Sequence, residues 1–191
     1  MKHPFIRRLS VTAAAVVTLV LAGCSGDSDG GGGESGSSRG GGGEESTQVV
    51  NDAGVEDIDL DDAVATQTVK NPGSDIEIEL RVFPLEVEGK VQTLRIAVTP
   101  KFEGGDTVNL YRMFAQTPYS PQLVDRDNLK VYSVIRELSD SWAIDEVKTD
   151  AASGETIIAW SQHAAPEDDV DSFDVLVKDG WPAFTDVPVK R

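Results

Sequence analysis

From about residue 64 onward, apolar and polar residues alternate along the chain. Ile76, Ile78, Leu80 and Val82 share one face of an extended backbone, and Glu77, Glu79 and Arg81 share the other. That period of two predicts a half-buried strand over Asp75–Val82. Leu94, Ile96 and Val98 repeat it over Leu94–Val98. Runs of β-branched and aromatic residues predict further strands at Val64–Val69, Thr107–Ala115, Leu129–Leu138, Trp142–Lys148, Thr156–His163, Phe173–Val177 and Phe184–Val189. Turn residues separate them at Asn71-Pro72-Gly73, Glu88-Gly89, Glu103-Gly104-Gly105, Ser153-Gly154 and Asp179-Gly180. The helical period of 3.6 is absent, apart from a weak short-helix pattern over Asp140–Val147.

Short strands at this spacing predict an all-β domain over residues 64–191, a single antiparallel immunoglobulin-like β-sandwich. A length of about 125 residues supports one core without disulfides. Trp142 and Trp160 are candidate core aromatics.

The composition changes upstream. Residues 25–46 hold ten glycines and six serines among 22 positions, which predicts a flexible linker. Its average span is roughly 25 Å, and about 70–80 Å when stretched. Residues 52–62 carry Asp52, Glu56, Asp57, Asp59, Asp61 and Asp62. Alternating carboxylates at Asp57, Asp59 and Asp61 raise a calcium loop. The pattern then fails, because Asp62 stands where glycine is needed and Thr68 where a bidentate glutamate belongs. A solvated acidic stretch is the better reading, for these residues and for Asp168, Asp169, Asp171 and Asp174. Residues 24–63 are therefore read as linker.

The N-terminus follows another pattern. Lys2, Arg7 and Arg8 precede an apolar run from Val11 to Leu21, and Leu21-Ala22-Gly23-Cys24 closes it. Val11–Ala22 is shorter than the ~20 apolar residues a spanning helix needs. It fits a signal h-region of roughly 7–15 residues. Leu21-Ala22-Gly23-Cys24 resembles the lipobox of bacterial lipoproteins, which implies a signal peptide over residues 1–23 and a diacylglyceryl group on Cys24. Cys24 is the only cysteine of the 191 residues, so no intramolecular disulfide competes for it. An unmodified exported thiol would be a reactive liability. Two acyl chains hold a protein durably where one holds it only marginally. The expected location is the extracytoplasmic face of the cell membrane. Arg7-Arg8 leaves twin-arginine export open beside the general route.

The formal charge is −16, and removal of Lys2, Arg7 and Arg8 with the signal leaves −19. Such a chain is repelled by nucleic acid and by anionic lipid surfaces. Beyond the signal one histidine remains, His163, placed by the pattern near a strand end and read as a surface residue. The sequence has no G-x-S-x-G elbow, no H-E-x-x-H, no cysteine-pair zinc pattern and no phosphate loop between strand and helix. Met113 and His163 do not make a copper site. No catalytic residue, cofactor or metal is expected. An enzyme or enzyme subunit working through Asp and Glu carboxylates is the alternative, since sequence does not show carboxylate separation.

A non-catalytic binding or scaffolding module is the leading expectation. Its candidate contacts are Tyr111, Met113 and Phe114, then Pro118, Tyr119 and Pro121, and separately Asp179-Gly180-Trp181-Pro182. Core and edge packing is the favoured alternative for these aromatics.

Phe173-Asp174-Val175-Leu176-Val177, Gly180 and Phe184–Val189 are similar to the end of the β-sandwich domain that precedes an OmpA-like domain in some actinobacterial lipoproteins. Leu94–Thr99 is compatible with it. For a tethered binding module, an envelope protein or a cell-wall component is the expected partner. The sequence ends at Lys190-Arg191 with no OmpA-like domain after it. Wall binding through that domain is therefore not implied, and the chain is expected to be a stand-alone front module or a truncated form.

Overall fold

The computed structural model describes residues 58–191. Its strands are β1 (Ala65–Lys70), β2 (Glu77–Val82), β3 (Leu85–Glu88), β4 (Val91–Lys101), β5 (Val108–Asn109), β6 (Gln122–Asp125), β7 (Lys130–Ser133), β8 (Arg136–Glu137), β9 (Asp140–Ser141), β10 (Asp150–Ala151), β11 (Ile157–Ala164), β12 (Ser172–Leu176) and β13 (Phe184–Lys190). One single-turn helix, α1 (Leu110–Met113), interrupts them. The domain is mostly β, as the alternation predicts.

One large sheet runs in the order β1-β2-β4-β3-β13-β12-β6-β7, with β11 on the other edge of β4. It is mixed, which corrects the expected antiparallel arrangement. The β3–β13 pairing is parallel, with Val189 opposite Leu85 and Lys190 opposite Glu86. The cause lies at Phe83-Pro84. β11 occupies one edge of β4, so β2 and β3 share the other, and their register slips by one residue between Val82↔Ile96 and Glu86↔Thr93. Phe83 still donates its N–H to the Arg95 carbonyl at 3.1 Å. Pro84 has no N–H to donate, so the strand breaks there. Its outer neighbour changes at the break from β1 to β13.

The turn before β2 follows from its residues. Ser74 N–H donates to Asn71 O at 3.1 Å, and Gly73 takes φ +75° behind Pro72. A type II turn puts proline and a positive-φ residue at those two places.

One hydrophobic cluster joins the inward residues of β2, β4 and β11 to those of β6, β12 and β13. Ile78, Leu80, Leu94, Ile96, Val98 and Ile157 meet Leu123, Phe173, Val175, Val177, Phe184 and Val187. A smaller cluster, Phe83, Ala97 and Ile158, is covered by Ile58, Leu60 and Ala63. Residues 58–63, which composition reads as the end of the linker, thus pack against strands. Within them the Asp59 carboxylate caps a 3-10 turn by accepting the Asp61 N–H at 2.9 Å.

Several local expectations fail: Trp142–Lys148 is not a strand but an isolated bridge at Ala143, and Leu129–Leu138 breaks into β7 and β8. Thr107–Ala115 is not one strand: Leu110, Met113 and Phe114 are buried at helical spacing behind Asn109, whose side chain accepts the Arg112 N–H at 2.9 Å. Asp140–Val147 is not a helix. Trp142 and Ile144 instead donate to the carbonyls of Ile135 and Trp160, so this stretch lies along β11.

Candidate functional site

Two stretches singled out in the sequence, 109–121 and 179–182, meet in the fold. Ala115 and Gln116 both take positive φ, 56° and 59°, and turn the chain sharply after α1. Asn71 Nδ2 donates to Met113 O at 2.7 Å and fixes that turn against β1 and β2. On the other side, Trp181 N–H donates to Lys178 O at 3.1 Å, with Gly180 at φ +83° inside the turn. Gln67 Nε2 ties this second turn to β1 through the Pro182 carbonyl at 3.1 Å.

Phe114 joins the two stretches. Its ring lies 5.7 Å from Tyr119, edge to face, and 5.0 Å from Trp181. Lys178 Nζ sits 5.5 Å from the Trp181 ring centroid, within cation–π reach. Met113, Phe114 and Tyr119 are buried. They belong to the hydrophobic core and are not a contact surface. Next to these residues in the chain, Thr117, Pro118, Ser120 and Gln122 line an open cleft of about 270 Å³ together with Leu176, Val177, Lys178 and Asp179. Its lining mixes hydroxyls, an amide, both charges and aliphatic carbon, a composition suited to holding a partner's polar and apolar groups together.

The hairpin β8–β9 stands beside the cleft, where Arg136 NH2 reaches Ser120 Oγ at 3.5 Å. Its tip, Leu138, is fully exposed at φ 56°. Left-handed backbone costs an L-residue roughly 1–2 kcal/mol, and Leu138 recovers none of it by packing. Leu138→Gly is therefore expected to raise the thermal midpoint by a few degrees, about 1 kcal/mol. A scanning calorimetry trace with a lower midpoint would contradict this. Trp142, expected in the core, is 39% exposed at the root of this hairpin. Trp160 does pack against the core.

His163 is the largest departure from expectation. Read as a surface residue, it is fully buried, as are Ser161 and Gln92. All three lie on the inward faces of β11 and β4, because His163 pairs with Gln92 and Ser161 with Leu94. Ser161 Oγ lies 3.0 Å from His163 Nε2, and His163 Nδ1 lies 3.2 Å from Tyr132 O. A carbonyl can only accept, so Nδ1 carries the proton and Nε2 accepts from Ser161. Burial lowers the His163 pKa to about 4, against smaller opposing effects of the Tyr132 and Ser133 backbone. Burial also pushes the Tyr119 phenol up, with Ser161 opposing. Gln92 Oε1 has no hydrogen-bond partner among the described residues. A serine donating to a neutral imidazole is the starting arrangement of nucleophilic catalysis. Here both groups are closed to any substrate, so in this conformation the pair is a structural polar end to the core.

Among the described residues, no three histidine, cysteine, aspartate or glutamate side chains gather as a metal site, and no helix is long and apolar enough to cross a membrane. Cys24, the signal peptide, the Gly/Ser-rich linker and Asp57 lie outside the described residues. The cleft was only half legible beforehand. The 109–121 and 179–182 stretches stood out by their aromatics and prolines, whereas Gln122, Leu176 and Lys178 carry no local signal.

No family model, no curated protein and no solved structure matches this chain.

Proposed function

We propose that this chain is a membrane-anchored extracytoplasmic lipoprotein, held through a lipid on Cys24, whose immunoglobulin-like β-sandwich is a non-catalytic docking module at the cell envelope. The anchor rests on the basic, apolar and Leu21–Cys24 segments in their order. The sandwich reading is supported by strand pairing. In an immunoglobulin fold one sheet takes the first, second, fifth and fourth strands, and the other takes the third, sixth and seventh. Counting β2–β3 as the first strand, β2-β4-β11 with residues 142–144 follows the first order, and β6-β12-β13 the second. β1 and β7 are then additions at the edges.

Docking rests on one observation, the convergence of 117–122 and 176–179 on an open cleft. The partner is a protein or wall component of the envelope, and the charge of −19 favours one with cationic groups. In cells, a photocrosslinker at Ser120 should capture one defined partner that the same probe at Thr66 misses. Cys24→Ala should abolish both that capture and palmitate labelling. Labelling that survives Cys24→Ala would sink the anchor; equal capture from Ser120 and Thr66 would sink the cleft.

A further inference from the structure

The free edge of β11 is closed by two short stretches of chain that flank the β8–β9 hairpin. Ile135 N–H donates to Gln162 O at 2.8 Å, and Trp142 N–H donates to Ile135 O at 2.9 Å. Gln162 N–H donates to Trp142 O at 2.8 Å, and Ile144 N–H to Trp160 O at 3.0 Å. Isolated bridges pair Val134 with His163 and Ala143 with Ser161. These contacts form a seam, and its inner side is lined by Ser161 and His163.

We propose that this seam is an acid-sensitive latch: it is closed while His163 is neutral, and protonation of His163 in mildly acidic surroundings opens it and releases the β8–β9 hairpin.

The geometry makes the neutral form specific. His163 Nδ1–H is committed to the Tyr132 carbonyl, and Nε2 must accept from Ser161. A proton on Nε2 turns that acceptor into a donor, so the Ser161 hydroxyl hydrogen must turn away from the ring towards the Tyr119 hydroxyl. The groups around the ring offer no countercharge. β4 presents Gln92, β11 presents Ser161, Tyr119 stands behind Ser161, and β7 presents the backbone of Tyr132 and Ser133. Lys130, Asp125, Asp168 and Glu167 act on the Tyr132 phenol, while the His163 ring feels burial and the Tyr132 and Ser133 backbone. An imidazolium is therefore unpaired in the closed seam and is hydrated only when the seam opens. Beyond the signal segment His163 is the only histidine, so no other side chain of ordinary pKa titrates between pH 5 and 8.

Opening also removes Arg136 from Ser120, so acid would alter the cleft. That consequence, unlike the latch itself, rests on the docking reading above.

Amide hydrogen exchange on residues 24–191 tests the latch. After correction for intrinsic rates, the amides of Ile135, Trp142, Ile144 and Gln162 should exchange on the order of 20-fold faster at pH 5 than at pH 7. Amides linking β2 to β4, exposed only by global unfolding, should stay better protected than the seam amides at pH 5. His163→Gln, which keeps a neutral hydrogen-bonding side chain, should abolish the acceleration. Should that variant not fold, the single imidazole resonance of the unmodified protein decides, since seam opening must track its titration. Seam amides as well protected as the β2–β4 amides at pH 5 would overturn the proposal, as would acceleration that persists in His163→Gln or runs independently of the imidazole. A latch that opens while Ser120 crosslinking stays unchanged would remove the docking reading and leave the latch standing.

Discussion

Phe173→Ala is expected to lower the unfolding free energy by about 3–5 kcal/mol, the usual cost of emptying a buried phenylalanine site. Phe173 lies on β12, between β13 and β6, and is 1% exposed. Its ring meets Tyr132 edge to face at 5.5 Å and 85°, so it links β12 to β7 within one core. The loss combines removal of the ring from apolar surroundings with a cavity that strands on both sides cannot collapse into. Leu129→Ala is the matched control: Leu129 is 90% exposed in a turn, and its truncation should change stability by less than about 0.5 kcal/mol. Urea unfolding of both variants measures the difference. A Phe173→Ala loss below about 1 kcal/mol would mean that the faces joined by Phe173 are not packed together.

The second large effect is loss of global stability on mild acidification. The His163 pKa is lowered in the folded chain to about 4, while the unfolded imidazole titrates near its ordinary value of 6.5. Between those values the unfolded state binds more protons, so stability falls as pH falls. The His163 contribution is fully present above pH 6.5, declines through the window, and levels off below about 4. Across the whole window the loss is about 3 kcal/mol. Carboxylates lose their contributions lower down. Glu79, for example, is held below its usual range by hydrogen bonds from Lys101 and then Arg81, and it weakens the fold only as pH drops through that range. Urea midpoints taken from pH 7 to pH 5 therefore isolate the imidazole. His163→Gln should flatten the curve there and leave the steeper fall below it. A flat curve for the unmodified protein would show that the closed seam tolerates the charge.

Strands whose two faces differ in polarity could be read from the sequence. β2, β4, β11 and β12 each put one side chain in two into the larger cluster, so their period is local information, whereas β13 buries Phe184 and Val187 with two exposed residues between them. β6 was missed because Gln122–Asp125 is only four residues long and follows Pro121. β3 was missed because Pro84 hides its continuity with β2. The helical turn at Leu110 was legible in principle, through Asn109 and the 110, 113, 114 spacing, but alternation of Val108 and Leu110 outweighed it. The parallel β3–β13 pairing depends on residues about a hundred positions apart and leaves no periodic trace. His163 fails for the same reason. Its partners Tyr132 and Gln92 lie 31 and 71 residues away in sequence, and only pairing with them turns a strand-end histidine into a core residue.

The polar end of the core also acts as an alignment key. β4 and β11 would otherwise present each other with interchangeable aliphatic faces, and a shift of two residues preserves inside and outside. Opposite Leu94 instead of Gln92, His163 would move away from the Tyr132 carbonyl, and the Gln92 amide would lose the Ala164 carbonyl to which it donates at 2.8 Å; each stranded polar group costs about 1–3 kcal/mol. Gln92, Ser161 and His163 thus act like the teeth at one end of a zipper, admitting a single starting position from which the eight-residue β4–β11 ladder can close.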